Sequence, residues 1–296
     1  MSISASMVKA LRERTGAGMM ECKKALVEAN GDADAAAEIL RKSGQAKADK
    51  KSSRVAADGR VVIAANGAGA VIAEINSETD FVAKDANFIG FAEAIADIAL
   101  ETGIVEPAAL AEQTLPDGRK VETARTELIQ KVGENIGVRR LSRIEAAGAL
   151  GHYTHGARIG AVVALEGGDE TLARDIAMHV TASNPMCIDE AGVPAEELER
   201  ERRILTEQAQ ESGKPAEIVD KMVSGRIAKY LKEITLVGQA FVKDPDTTVG
   251  KLLKDAGARV TSFVRFEVGE GIEKKAENFA EEVMKQIEDA KHKDGK

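Results

Sequence analysis

Gly69-Ala70-Val71-Ile72-Ala73-Glu74 has a near copy later in the chain, Gly160-Ala161-Val162-Val163-Ala164-Leu165. Each is a short apolar run opened by Gly-Ala, and each reads as a strand. After the first run, Asp85 and Asn87 signal a helix in which Phe88, Phe91, Ile95 and Ile98 recur at helical spacing. After the second, a helix over 169–183 carries the stripe Leu172, Ile176, Val180. The pattern is a weak internal duplication of a strand–strand–helix unit. It points to an α+β fold with a duplicated antiparallel-sheet-plus-helix core.

Working outward, 60–65 pairs with the first run across Asn66-Gly67-Ala68, a turn signal whose residues tolerate positive φ. Pro107 and Pro116 break the stretch after the first helix, and 120–135 reads as a longer helix. Strands are expected over 137–145, 150–154 and 158–166. The first forty-four residues read as three short helices. Ser4 or Ser6 caps the first, with Met7, Val8 and Leu11 on one face; Asn30-Gly31 closes the second; Asp32 caps the third, which ends at Gly44. The stretch 45–58 then reads as a basic linker. Within 41–54, Arg41, Lys42, Lys47, Lys50, Lys51 and Arg54 face a lone Asp49, which suits a solvated connection or a docking run for an acidic partner.

Beyond Asn184-Pro185 the composition shifts to charged, helix-prone segments over 194–211 and 215–234. Leu198, Leu205 and Ala209 on one, and Val219, Val223, Ile227, Tyr230 and Ile234 on the other, predict an antiparallel helical hairpin with one apolar seam. A short helix over 247–256 leads into a strand over 259–268, where Val260, Val264, Phe266 and Val268 are expected to share a face. A last helix begins near Glu273. The corresponding units are a three-helix module with its linker (1–54), a first core subdomain (55–140), a second in two parts (141–184 and 236–266), the inserted hairpin (185–235) and a C-terminal module (267–296).

At 296 residues the chain can bury a sizeable core, and 44% hydrophobic with 30% charged residues suits a soluble globular protein. Nothing approaches the roughly 18 apolar residues that span a bilayer, and residues 1–9 lack the charged-then-apolar order of a secretory signal. The expected compartment is the cytoplasm. A net charge of −8 argues against a nucleic-acid binder. Cys22 and Cys187 stand alone outside any C-x-x-C pair, so a zinc or redox site has no support. His152 and His155 share a segment with no further ligand nearby. His179 abuts the stripe of the 169–183 helix, as a core-edge residue or a ligand, and His292 falls in the charged tail.

Between the first apolar run and its helix lies Glu74-Ile75-Asn76-Ser77-Glu78-Thr79-Asp80-Phe81-Val82-Ala83-Lys84, an acidic and aromatic insertion that the second unit lacks. The chain has only seven Phe, two Tyr and no Trp. A Phe in such a connection either tucks under its own loop or enters another molecule. Glu78 and Asp80 together resemble an acid/base pair, but no nucleophile or His is close in sequence. A Walker loop, a G-x-S-x-G elbow and an H-E-x-x-H helix are all missing, so the chain reads as an interaction protein and not as an enzyme.

Two segments give that reading a direction. Leu11-Arg12-Glu13-Arg14-Thr15-Gly16-Ala17-Gly18-Met19-Met20-Glu21-Cys22-Lys23-Lys24-Ala25-Leu26 closely resembles the N-terminal signature of the elongation factor Ts family, and the stretch around Thr79-Asp80-Phe81-Val82 resembles its second signature. His155-Gly156-Ala157-Arg158-Ile159-Gly160 and Arg265-Phe266-Glu267-Val268-Gly269-Glu270-Gly271 are further matches, in the expected order over essentially the whole chain. The resemblance implies a guanine-nucleotide exchange factor that binds elongation factor Tu, GDP-bound or nucleotide-free, and promotes GDP release so that GTP can reload. It implies a ubiquitin-associated-like N-terminal module, with Arg12, Met19, Met20 and His155 as partner-binding residues. It assigns Thr79, Asp80, Phe81 and Val82 to dislodging the partner's Mg²⁺. No cofactor, direct nucleotide, nucleic acid or membrane contact is implied. A homodimer or a heterotetramer with the partner stays open, as does the role of the hairpin. The alternative is a scaffold or chaperone that holds a translational GTPase without exchanging its nucleotide.

Overall fold

The structure, a computed structural model, describes residues 3–211 and 215–273. Its strands are β1 (Asp58–Asn66), β2 (Gly69–Ser77), β3 (Gly137–Glu145), β4 (Ala149–His155), β5 (Ile159–Glu166), β6 (Ala240–Phe241), β7 (Asp244–Thr248) and β8 (Arg259–Glu267). Antiparallel pairing gives two three-stranded sheets, β1-β2-β3 and β4-β5-β8. The strands β6 and β7 form a small separate pair that the sequence did not signal.

All nine residues of β2 are buried, and the side-chain alternation shows why. Ala70 and Ile72 meet Val162, Ala164 and Phe266 of the opposite sheet. Val71, Ala73 and Ile75 face the other way, onto Phe88 and Ile95 of α5 (Ala86–Thr102). The second sheet mirrors this: Ala161, Val163 and Leu165 face Ile176 and Val180 of α8 (Glu170–Ser183). Two sheets therefore pack face to face with a helix outside each. A strand sandwiched on both sides needs an unbroken apolar run.

The β1–β2 turn closes through a side chain. The Asn66 carboxamide oxygen accepts from the N–H of Ala68 (2.8 Å) and Gly69 (3.1 Å), and neither Asn66 nor Gly67 uses the positive φ that both tolerate. A second correction concerns β8. Val260 packs in the α8 cluster, while Val264, Phe266 and Val268 lie between the sheets. Leu165 pairs with Val260 and Ala164 with Ser262, so Thr261 is an extra residue, and this bulge flips the facing of everything beyond it.

The helices preceding the first sheet are α1 (Ala5–Thr15), capped by Ser4, α2 (Met19–Glu28) and α3 (Ala33–Lys51), capped by Asp32. The third does not stop at Gly44, and most of the expected linker is helix. Gly44 sits where a Cβ would lie 1.2 Å from the Gln130 amide nitrogen, which donates to Leu40 O at 3.1 Å. This glycine is a contact point with α7 (Val121–Val132), not a terminus, and Ala48 beyond it is buried in the core of the first sheet. Helix α7 itself ends before the expected 135, because Gly133 takes φ +83°. The remaining helices of the described residues are α4 (Asp80–Ala83), α6 (Pro107–Ala111), α9 (Ala195–Gln210), α10 (Ala216–Ile234) and α11 (Val249–Asp255). Ala209 packs with Val219, Val223 and Ile227 in the α9–α10 seam, where Met222 and Leu231 join them, and the Tyr230 hydroxyl donates to Glu197 (3.1 Å). The helix expected from Glu273 lies outside the described residues.

Glu74, which the sequence places at the head of an acidic insertion, is fully buried. Its carboxylate accepts from Gly269 N (2.7 Å), Asn76 Nδ2 (3.0 Å), Arg139 Nη1 (2.9 Å) and Arg140 Nε (2.6 Å). Both arginines reach it because Arg139 is the extra residue of a bulge between the pairs Glu74–Arg140 and Ile75–Val138. Arg140 also stacks 4.3 Å above the Phe266 ring and donates to Glu267 O (3.1 Å). Gly269 must be glycine: its φ is +77°, and a Cβ would lie 2.4 Å from Ala57 O. Burial opposes ionisation of Glu74, but the four donors outweigh it and hold the carboxyl below its ordinary range.

Glu74→Ala leaves Arg139 and Arg140 only their bonds to the end of β8 and the turn after it, so it should cost about 2 kcal/mol of unfolding free energy in urea titration. A loss under roughly 1 kcal/mol would show the cluster to be dispensable. A second expectation comes from His179, which is buried; its Nδ1 accepts from Val242 N (3.2 Å), so Nε2 carries the proton and donates to Gln239 (2.9 Å). Burial pushes its pKa down despite the Gln239 bond. From about pH 6.5 downward the unfolded chain takes up a proton that the native chain refuses, so stability falls with pH until the native pKa is reached. The slope of unfolding free energy between pH 7 and 5 should flatten in His179→Gln; an identical slope would refute the assignment.

Candidate functional site

Beyond Ser77, β2 gives way to Thr79, which caps the single turn α4. One turn of helix does not hold itself together, so its neighbours must. The Glu134 carboxylate accepts from both Thr79 N (2.9 Å) and Thr79 Oγ1 (2.6 Å). Ser77 Oγ donates to Thr79 O (2.9 Å), and Arg60 Nη1 donates to Ala83 O (3.2 Å). Val82 and Ala83 point into the core beneath α5. That leaves Phe81 directed outward and 82% exposed. The open question of whether Phe81 tucks under its loop is decided: Val82 fills that role.

Asp80 is exposed and pairs with Lys84 at 2.6 Å, and this hydrogen bond holds its carboxyl below the ordinary range. Glu78 accepts from Asn135 N (2.6 Å) and lies 3.4 Å from Arg54. The two carboxylates that could be read as an acid/base pair are thus each engaged in holding the turn. Glu134 escaped sequence reading because it lies 55 positions from Thr79. The only sequence cue was the glycine that ends α7 just before it.

The β4–β5 turn that carries His155 docks on the same end of the molecule. Ala157 O accepts from Val61 N (2.8 Å), and Arg158 pairs with Asp58 (3.0 Å), the residue opposite Ser77. Arg158 is close enough to favour the ionised form of Asp80. His155 itself is exposed. Arg12, Met19 and Met20 line a separate shallow groove with Gly18 and Lys131 of α7, and the two methionines are 59% and 64% exposed. The structure therefore groups the sequence-expected residues into two surfaces, Thr79 to Phe81 with the His155 turn nearby and the methionine groove, and places Val82 in the core beneath the first. Among the described residues no His, Cys, Asp and Glu group has the arrangement of a metal site, and no helix is long and apolar enough to cross a membrane.

Comparison with known proteins follows the same lines. The family model described as Elongation factor TS matches residues 78–270, a span that begins one residue before Thr79. Elongation factor Ts of Thioalkalivibrio sulfidiphilus is 63% identical over 294 residues, covering 98% of this chain and 100% of the relative. Elongation factor Ts of Alkalilimnicola ehrlichii is 60% identical over 97% of this chain and 99% of the relative. That of Legionella pneumophila (strain Lens) is 58% identical over the same shares.

The contrast between neighbouring side chains is directly measurable. Phe81→Ala should change thermal stability by no more than roughly 0.5 kcal/mol, whereas Val82→Ala should cost about 1–2 kcal/mol. Equal losses in calorimetry would mean that Phe81 packs on its own protein.

Proposed function

The chain belongs to the elongation factor Ts family, and we propose from that premise that it exchanges guanine nucleotide on elongation factor Tu through the Thr79–Val82 turn. It binds the GDP form of the partner, speeds GDP release and so allows GTP to reload. Phe81 is the wedge, with Asp80 beside it, and the rest of the double sheet is the base against which the wedge pushes. The observation that supports this most is an almost fully exposed aromatic on a turn clamped from both ends. A turn whose backbone is already fixed has paid its ordering cost before binding, which favours insertion of its exposed apolar side chain into a partner.

The partner holds GDP through backbone donors around the phosphates and through Mg²⁺, which offsets their charge. A side chain driven between its helices misplaces the ion's ligands. With Mg²⁺ displaced, phosphate charge is poorly compensated and GDP leaves. Linkage makes the effect mutual, so GDP weakens the hold of this chain on the partner by the same factor. Neither nucleotide needs to touch this chain, and no cofactor of its own enters the scheme.

In this reading Arg12, Met19, Met20 and His155 contribute binding surface, and the N-terminal helices form the ubiquitin-associated-like module. The units are 1–54, 55–140, 141–184 with 236–266, 185–235 and 267–296. The two sheet-plus-helix subdomains are a duplication in which one copy carries the wedge. An assembly with two partner molecules, through a second copy of this chain, is compatible with that division.

Phe81→Ala should slow stimulated release of a fluorescent GDP analogue from elongation factor Tu by about 10- to 30-fold in stopped flow, with binding retained. Wild-type release rates from this variant would refute the wedge. Stable binding without accelerated release by the unaltered chain would instead identify a scaffold.

A further inference from the structure

Resting on the wedge reading, we infer that Glu134 is a positioning residue for exchange: with its neighbours Gly133 and Asn135 it forms a latch that joins the end of α3 to the Phe81 turn. The turn has four helical residues and must be held from outside. Glu134 supplies the hold at its leading end, one carboxylate taking both the backbone and the hydroxyl donor of Thr79. Charge-assisted bonds of this kind are short and directional, so the pair fixes both the position and the rotation of the cap.

The two neighbours of Glu134 grip the end of α3 and the residues just after it. Gly133 O accepts from the Lys51 ammonium. Asn135 Nδ2 donates to Arg54 O (2.9 Å) and Ser52 O (3.4 Å), while Asn135 N donates to Glu78 (2.6 Å), next to the cap. At its middle, α3 is bonded to α7 through Gln130 and Leu40 and through Thr126 and Gln45 (3.3 Å), and Lys47 pairs with Glu21 of α2, two residues from Met19. One rigid helix thus runs from the methionine surface to the latch. A partner seated on Met19 and Met20 meets a wedge already placed relative to that surface, so the backbone of the turn need not be ordered on binding.

A positioning role and a merely structural one separate in the kinetics. Glu134→Gln keeps the size of the side chain but presents an amide N–H₂ where an acceptor is needed. With full-length protein and elongation factor Tu loaded with a fluorescent GDP analogue, the release rate at saturating Glu134→Gln should fall about tenfold. Its half-saturating concentration should change by less than about twofold, since the methionine surface is untouched. Thr79→Val, which loses the hydroxyl, should show a reduced plateau of the same kind. Adding Thr79→Val to Glu134→Gln should slow release by less than the product of the single effects, as for residues acting through one contact. A wild-type plateau in Glu134→Gln while Phe81→Ala is slow would overturn the latch and leave the wedge standing. If both variants release at the wild-type rate, the wedge fails and the latch fails with it. Should Glu134→Gln not fold, Thr79→Val carries the test, a wild-type plateau in it overturning the proposal.

Discussion

A carboxylate removed from water must find its compensation in the protein, and Glu74 finds four donors from three separate stretches of chain. Two arginines come from a bulge in β3, an amide from β2 itself, and a backbone N–H from the turn after β8. The first sheet and the end of the second are thereby joined at one charged point inside an otherwise apolar interface. Such a group is weak evidence for net stability, because hydrophobic replacement can be as good. Its effect here is on register: a slip of either sheet would leave the charge unpaired.

That constraint carries directly to the exposed turn. Asn76, which donates to Glu74, also donates to Asp58 O (3.1 Å), and three residues later the chain reaches Thr79. The strand that leads to the turn is pinned from both faces, by the opposite sheet and by α5. The turn is then pinned again by Glu134 and Arg60. Adjacent residues can consequently serve opposite ends, Val82 anchoring the turn and Phe81 projecting from it.

Much of the fold was legible in single elements. The cap at Asp32, the start signal at Asp85, the apolar runs of β2 and β5, and the apolar stripe of α10 all depend on neighbours within one helix or strand. The exposed aromatic could be singled out too, because so few aromatics compete with it. Gly44 misled because a glycine in a helix looks the same whether it ends the helix or admits Gln130. Val260 misled because a bulge leaves no mark in the period before it.

By itself, then, the sequence determined where most helices and strands arise, which faces of those elements are largely apolar, and which loop carries an unusual Phe. Those properties follow from side-chain spacing and local capping, which act over a few residues. Tertiary structure alone decided that Glu74 is an internal clasp, that the basic stretch continues α3, and that Phe81 stands outward on a base held by Glu134. The partners that settle these points lie 195 positions apart for Glu74 and Gly269, 90 for Gln130 and Leu40, and 55 for Thr79 and Glu134. No local pattern encodes a contact between residues that only folding brings together.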